Sequence, residues 1–115
     1  MAKGRIIIGS NWGDEGKGTV VAHYAKNATG KVLNVLTNGG PQRGHTVVKD
    51  GEVFTFKHFG SGMCFGADIY FSKDFIVNPM QFVKEYAKLA QKLPMCNIYM
   101  HKDCRWTTPF DMMAL

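Results

Sequence analysis

The chain has 115 residues, of which 45% are hydrophobic and 20% are charged. This length fits one domain over residues 1–115, and a chain of this size buries roughly two thirds of its unfolded surface without disulfides or metals. The composition is typical of a soluble globular protein, and no apolar run reaches membrane-spanning length. The net charge of +5 is dispersed along the sequence, which argues against a nucleic-acid-binding surface.

The cysteines and the N-terminus indicate an intracellular setting. Cys64, Cys96 and Cys104 are an odd number without a Cys-x-x-Cys pair, so we expect free thiols and neither a disulfide framework nor a zinc site. The isoleucines at residues 6–8 are too short an apolar run for a signal peptide. We therefore expect a cytoplasmic protein.

The N-terminal third of the chain predicts a strand, a loop, a helix and a second strand. Residues 5–8 are typical of a short buried strand, residues 17–27 of a helix and residues 32–36 of another strand. The apolar residues at helical spacing are Val20, Val21, Tyr24, Ala25 and Ala28. Because a helical crossover links parallel strands, this unit indicates a mainly parallel sheet of the α/β class.

The middle of the chain predicts a β-hairpin inserted into this fold. Residues 47–49 and 52–54 flank the dipeptide Asp50-Gly51, which is strongly favoured in two-residue hairpin turns. The hairpin directly follows the loop of residues 44–46. We expect the hairpin to brace that loop.

The C-terminal half predicts short strands around one helix. The strand candidates are residues 68–71, 75–77 and 97–100, and Pro79 suits the first turn of a helix that extends to Lys92. The apolar stripe of this helix consists of Val83, Tyr86, Ala87, Ala90 and Leu93. We interpret this stripe as core packing rather than a cofactor site.

The segment before the first predicted helix has the composition of a phosphate-binding loop. Four glycines lie among residues 9–19, so the backbone can turn tightly and bring its N–H groups close to a polyphosphate. The helix N-terminus adds a partial positive charge, and Lys17 adds a full one. The usual P-loop would have Gly where Asn11 stands and Ser or Thr where Gly18 stands, so this P-loop-like variant has its hydroxyl at Thr19 instead.

Two adjacent carboxylates, Asp14 and Glu15, lie in the middle of this loop. Negative charges beside a phosphate repel it unless one of them binds a metal ion or transfers a proton. The pair therefore indicates chemistry as well as phosphate binding. The alternatives are a plain turn between a strand and a helix, and a Glu that only complements the helix dipole.

Residues 12–18, Trp-Gly-Asp-Glu-Gly-Lys-Gly, resemble the opening signature of the adenylosuccinate synthetase family, whose members use GTP to join aspartate to IMP. In that family a Gly-Gly pair leads into Asn-Ala-Gly-His-Thr, and residues 39–46 occupy the corresponding place. Residues 61–62 and 77–79 are similar to two later landmarks. The resemblance spans nearly the whole chain and implies the N-terminal portion of a longer protein. The family's guanine-reading and aspartate-binding segments would lie beyond residue 115.

The resemblance implies a GTP-dependent ligase with acid–base catalysis. Asp14 would take the proton from N1 of the purine and contact Mg²⁺, while His45 would donate a proton to the 6-oxygen that receives the phosphoryl group. The Gly44 carbonyl would be a second metal ligand, and Lys17 would stabilise the transferring phosphoryl group. Without the resemblance, His45 is typical of an exposed loop residue. The other histidines, His23, His58 and His101, lack a partner pattern and are interpreted as structural.

The resemblance also implies the substrate contacts and the partners. The GTP-binding residues would be Gly13, Asp14, Glu15, Gly16, Lys17, Gly18, Thr19, Gly44, His45 and Thr46. The residues that bind the acceptor nucleotide would be Asp14, Glu15, Gly16, Lys17, Gln42, Arg43, Gly44 and His45. The expected partners are GTP as co-substrate, IMP or a related purine nucleotide, aspartate and Mg²⁺, with a homodimer in the full-length family form and no nucleic acid or membrane.

The sequence departs from the family pattern at four positions. Gln42 and Arg43 replace Asn and Ala in the acceptor segment, Asn11 replaces a usual Gln, and Thr19 replaces a usual Lys. The Arg43 guanidinium could bind an acceptor phosphate through two hydrogen bonds, or it could simply face solvent. Two alternatives stay open: the viral branch that uses dGMP as acceptor, which tends to replace the aspartate found here as Asp14, and a truncated non-catalytic nucleotide-binding module.

Overall fold

The computed structural model describes residues 3–8, 16–40 and 44–108. In chain order the elements are α1 (Lys17–Asn27), β1 (Leu33–Leu36), β2 (His45–Lys49), β3 (Glu52–Phe56), a 3-10 helix (Ser61–Phe65), β4 (Asp68–Phe71), β5 (Ile76–Val77), α2 (Pro79–Ala90), β6 (Ile98–Met100) and β7 (Arg105–Trp106). β1, β4 and β6 form a parallel sheet in that order, and β5 pairs in parallel with β7. The prediction of an α/β fold with mainly parallel pairing is confirmed.

The core lies on one face of the three-stranded sheet. Leu36, Ile69 and Phe71 alternate with more exposed residues along β1 and β4, and all three are buried. An aromatic cluster covers this face, with the Phe59 ring 5.9 Å from Phe71 and 5.0 Å from Phe82 of α2. Aromatic side chains bury large areas, so this cluster ties α2 to the sheet.

The predicted hairpin is confirmed, and its strands are longer than expected. β2 and β3 pair antiparallel with Lys49 opposite Glu52, and Asp50 and Gly51 both have positive φ, at 53° and 78°. Two consecutive positive φ angles match the twist of the flanking strands. The Lys49 ammonium donates to the Cys64 carbonyl at 2.7 Å, so the hairpin end is bound to the 3-10 helix.

The expectation of a buried strand at residues 5–8 is wrong. No described strand pairs with this segment, and Ile6 and Ile8 are 91% and 82% exposed. The segment runs past α1 instead, where the Arg5 guanidinium lies 4.3 Å from the centre of the Tyr24 ring. Three consecutive isoleucines favour burial and a strand conformation, but they do not specify a pairing partner.

The apolar spacing predicted the buried face of α1 only in part, since Ala25 of the predicted stripe is buried and Val21 is half-buried, and it predicted the wrong face of α2. α1 has the predicted bounds but buries Gly18, Ala22 and Ala25, while Val20 and Tyr24 are exposed. Small residues allow the close approach of α1 to the 3-10 helix. The longer side chains are therefore left outside the core.

α2 begins as predicted and ends two residues earlier. The Asn78 side chain accepts a hydrogen bond from the Gln81 N–H at 3.2 Å, and Pro79 lies in the first turn, which together define the helix start. Its packed residues are Phe82, Glu85 and Leu89, whereas the predicted stripe is exposed except for Leu93. Apolar residues occur on two sides of this helix, so periodicity alone selected the wrong one.

The three cysteines are free thiols, as expected. Burial raises the pKa of each of them, Cys64, Cys96 and Cys104. Within the described parts of the chain, neither helix is long and apolar enough to cross a membrane.

Candidate nucleotide-binding site

The site begins at the start of α1. Gly16 precedes the helix in the left-handed conformation, with φ 77° and ψ 27°, and its carbonyl accepts the Val20 N–H at 3.0 Å. Glycine adopts this conformation without the penalty that other residues have. The N-terminal turn of a helix directs N–H groups and a partial positive charge outward, which is a suitable environment for a phosphate.

The start of β2 lies directly against this turn. A Cβ added to Gly18 would be 2.7 Å from the His45 Cβ and 3.3 Å from its Nδ1, so only glycine allows this approach. The Thr19 hydroxyl lies 3.5 Å from the Thr46 carbonyl oxygen and donates to it. The structure thus brings together the two segments from which the sequence predicted GTP binding.

The sequence suggested that the candidate residues at the start of β2 lie in a loop. In the structure they do not. His45 and Thr46 are the first two residues of the strand, paired with Phe56 and Thr55, and Gly44 precedes them at an exposed position. The half-buried His45 ring is therefore carried by a hydrogen-bonded strand. A catalytic group on a strand is held more rigidly than one on a loop.

Several predicted site residues lie outside the described residues. They are Gly13, Asp14, Glu15, Gln42 and Arg43, together with Asn11. Their proposed roles stay predictions from the sequence. Among residues 3–8, 16–40 and 44–108, no group of three His, Cys, Asp or Glu residues could hold a metal ion.

A layer of polar contacts behind α1 was not predicted from the sequence. The Ser61 hydroxyl donates to the Gly18 carbonyl at 2.5 Å, and the Gly62 N–H donates to Asn34 Oδ1 at 3.0 Å. Residues 61–62 were recognised only as a family landmark. A buried hydroxyl requires a partner, but the sequence does not reveal which carbonyl it finds.

His58 belongs to a buried structural network, which supports its interpretation from the sequence. Its Nε2 accepts the Asn78 N–H at 3.1 Å, so the ring proton lies on Nδ1, 3.1 Å from Glu85 Oε2. The Glu85 carboxylate also accepts the backbone N–H groups of residues 57–59. Burial acts to raise the pKa of Glu85, but these hydrogen bonds outweigh it and lower the pKa below its ordinary value.

The other two histidines have local contacts. His23 lies exposed on α1, where Asn27 donates to its carbonyl at 2.9 Å, and His101 accepts the Asp103 N–H at 3.0 Å. Both contacts are between residues close in sequence. They are typical of turn and helix-end geometry rather than of a reaction site.

Comparisons with known proteins agree with this fold and identify a family. The adenylosuccinate synthetase family model matches residues 6–114. The chain is 42% identical over 82 residues to the adenylosuccinate synthetase of Archaeoglobus fulgidus, covering 70% of this chain and 24% of that protein. It is 32% identical over 115 residues to the enzyme of Thioalkalivibrio sulfidiphilus, covering 97% of this chain and 26% of that protein.

A solved structure has the same fold. The fully ligated adenylosuccinate synthetase of Plasmodium falciparum superposes with a TM-score of 0.77 at 17% identity, covering 92% of this chain and 24% of that one. The chain thus spans about a quarter of the length of the relatives that it matches. From a family model that matches nearly every residue, we conclude that the chain belongs to the adenylosuccinate synthetase family.

Proposed function

We propose that this chain contributes the phosphate-binding and acid–base part of a GTP-dependent ligase of purine nucleotide biosynthesis. The enzyme would join aspartate to C6 of IMP and release GDP and phosphate, with the phosphoryl group of GTP first transferred to the 6-oxygen. The observation that carries this proposal is the contact between Gly18 and His45. It puts a candidate proton donor beside a helix N-terminus suited to phosphate.

GTP would bind with its phosphates at the start of α1. The N–H groups of residues 13–18 and the Lys17 ammonium would stabilise charge that develops on the transferring phosphoryl group, which is where most catalysis of such transfers originates. Thr19 and Thr46, whose contact links α1 to β2, lie where they could bind the same nucleotide.

The acceptor purine would lie between Asp14 and His45. Asp14 would remove the proton from N1, so the 6-oxygen becomes a better nucleophile toward the γ-phosphorus of GTP. His45 would then hold a proton at the 6-oxygen, so that the phosphate leaves readily when the aspartate amine attacks C6. An acid and a base on separate segments can serve one purine in this way.

The donors available for Mg²⁺ are oxygens, as this ion prefers. Mg²⁺ commonly binds through one or two protein oxygens together with phosphate oxygens and waters. Gly44 is exposed and immediately precedes β2. Its carbonyl and the Asp14 carboxylate would therefore suit that coordination. When bound, the ion would neutralise charge on the phosphates.

Two alternatives follow from particular observations. Gln42 and Arg43 differ from the usual family residues, which favours a different acceptor such as dGMP, whereas the presence of Asp14 favours IMP. The other alternative is a non-catalytic nucleotide-binding module, which would use the helix N-terminus of α1 without the proton transfers proposed for Asp14 and His45. For the complete enzyme we propose a homodimer in the cytoplasm.

One experiment separates these possibilities. The longest polypeptide that carries this sequence is incubated with GTP, Mg²⁺ and aspartate, with IMP or dGMP as acceptor, and the aminated product is measured by chromatography. We expect adenylosuccinate from IMP. Product from dGMP but not from IMP would establish the viral-type reaction. GTP binding without product from either acceptor would contradict the ligase proposal.

A further inference from the structure

We propose that Ser61 is a positioning residue for the phosphate-binding turn, acting through its hydrogen bond to the carbonyl of Gly18. The inference rests on the proposed function, because it assigns α1 the nucleotide phosphates. Ser61 is 3% exposed and its hydroxyl lies 2.5 Å from the Gly18 oxygen, although 43 residues separate the two in sequence. A helical carbonyl has a second lone pair, so it can accept this bond without losing its bond within the helix.

The serine is itself held by the sheet. Asn34 of β1 extends its side chain under the 3-10 helix, where Oδ1 accepts the Gly62 N–H at 3.0 Å. A Cβ on Gly60 would lie 2.1 Å from that oxygen, and one on Gly62 would lie 3.0 Å from it. A side chain at position 60 would therefore displace Asn34, and one at position 62 would be crowded by Asn34 and by the Cβ of Ala67 at 3.2 Å.

The packing of α1 makes this hydrogen bond important. The helix faces the 3-10 helix with Gly18, Ala22 and Ala25, which have few apolar atoms to define its position along its own axis. Gly18 also touches His45. A shift of Gly18 would thus move the phosphate-binding turn and change its contact with His45 at the same time.

The chain offers a matched control. The Ser72 hydroxyl donates to the Thr37 carbonyl at 2.6 Å, which is the same type of contact between two other segments. Ser61→Ala and Ser72→Ala each remove one hydrogen bond from a serine hydroxyl to a distant carbonyl, the first of them buried and the second exposed. Ser61→Cys keeps a weak donor of similar shape, as the Cys104 thiol illustrates by donating to the Phe75 carbonyl at 3.2 Å.

The first readout is the affinity of the 115-residue chain for GTP with Mg²⁺, measured by calorimetric titration. We expect Ser61→Ala to weaken binding about threefold to tenfold, the typical effect of one hydrogen bond. Ser61→Cys should fall between Ser61→Ala and the wild-type protein, and Ser72→Ala should bind like the wild type. Equal binding by Ser61→Ala and the wild type would overturn the inference while the proposed function stands.

The second readout is amide hydrogen exchange without ligand, and it also decides the case in which the wild-type chain does not bind GTP. We expect Ser61→Ala to speed exchange at Val20, Val21 and Ala22 more than at the C-terminal turn of α1. A uniform increase along α1, or none, would overturn the inference. If Ser61→Ala does not fold, the same comparison is made with Ser61→Cys, and the same two outcomes decide it.

Discussion

Gly18 makes a different contact on each of two sides, and one of them requires glycine. Its missing side chain leaves room for His45, and its carbonyl accepts the hydroxyl of Ser61. In an exposed helix interior, alanine would be favoured over glycine by about 1 kcal/mol. The contact with His45 outweighs that preference here, because a Cβ at 2.7 Å requires one of the two elements to move.

Replacement of Gly18 by alanine is therefore expected to weaken GTP binding. If the roughly 1–3 kcal/mol that overpacking costs is lost from binding, the affinity falls by about fivefold to 150-fold. Titration of Gly18→Ala with GTP and Mg²⁺ measures this effect. Gly4→Ala is the control, since a Cβ at Gly4 meets nothing within 4 Å. If Gly18→Ala binds as tightly as this control, the turn does not need the observed contact.

The candidate base and acid give a second prediction at this scale. In the longest active polypeptide, Asp14→Ala and His45→Ala should each lower turnover by about 10²–10⁴-fold, the usual contribution of general acid–base catalysis. The measurement is kcat for product formation with saturating GTP, aspartate and acceptor. His23→Ala, at an exposed position on α1, is the control and should keep wild-type kcat. Normal turnover in either test variant would remove that residue from the mechanism.

At the scale of elements, the Glu85 carboxylate joins α2 to the segment before the 3-10 helix, beside the ring contact between Phe59 and Phe82. Glu85 accepts backbone N–H groups from residues 57–59 and the Nδ1 proton of His58. The four donors satisfy a group that would otherwise be costly to bury. The same contact fixes the segment that leads into Ser61, so α2 supports the site from a distance.

Glu85→Gln should destabilise the fold by about 1–3 kcal/mol at pH 7. A neutral amide would replace the charged acceptor, and its NH₂ group would face N–H groups that are themselves donors. Urea unfolding measures the change. The control is Glu52→Gln, which removes an exposed ion pair with Lys92 and should cost about 1 kcal/mol or less.

The pH dependence of the same contact follows from the sign of the shift. The pKa of Glu85 is lower in the folded protein than in the unfolded chain, so the carboxylate stabilises the fold at pH values above the unfolded pKa, roughly 4.3. That stabilisation is lost as the pH falls through the lower folded pKa. The difference between wild type and Glu85→Gln should thus shrink below about pH 4. A difference that stays constant with pH would contradict the assignment.

At the scale of the whole molecule, the described residues leave apolar side chains exposed on the three-stranded sheet and on α2. On the sheet face opposite the core, Leu33, Val35 and Tyr99 are 51%, 46% and 49% exposed. On α2, Val83 is 64% exposed. Parallel sheets are normally covered on both faces. We therefore expect the 115-residue chain to self-associate as its concentration rises.

Sedimentation velocity over a range of concentrations checks this expectation. Val35→Lys, which puts a charge on the open face of β1, should shift the distribution toward monomer. Lys31→Glu, which changes an exposed charge before β1, is the control and should not. A wild-type chain that stays monomeric at every concentration would refute the prediction.

The 115-residue chain should form no adenylosuccinate by itself. It spans about a quarter of the length of its relatives, and the resemblance implies that the guanine-reading and aspartate-binding segments lie beyond it. Correct orientation of the reacting groups lowers such an activation barrier by several kcal/mol, up to roughly 7–11. The assay contains GTP, Mg²⁺, IMP and aspartate, and the control is chain purified away from host synthetase. Steady product formation by that preparation would refute the prediction.

The sequence by itself determined the elements whose signals are local. The Asp50-Gly51 turn and the start of α1 after the left-handed Gly16 follow from local backbone preferences. The start of α2 at Asn78 and Pro79 follows from helix capping. The resemblance to the family could also be recognised from the motif at residues 12–18. These features do not depend on what another part of the chain does.

Only the tertiary structure decided which surfaces meet. It placed Gly18 between His45 and Ser61, turned Gly18 and Ala22 of α1 and a different face of α2 inward, and left residues 5–8 outside the sheet. Helical periodicity ranks faces by their own polarity, whereas burial depends on the shape of the partner. Close contacts between distant residues depend on steric fit and on shared hydrogen bonds, and neither leaves a signal at one position of the sequence.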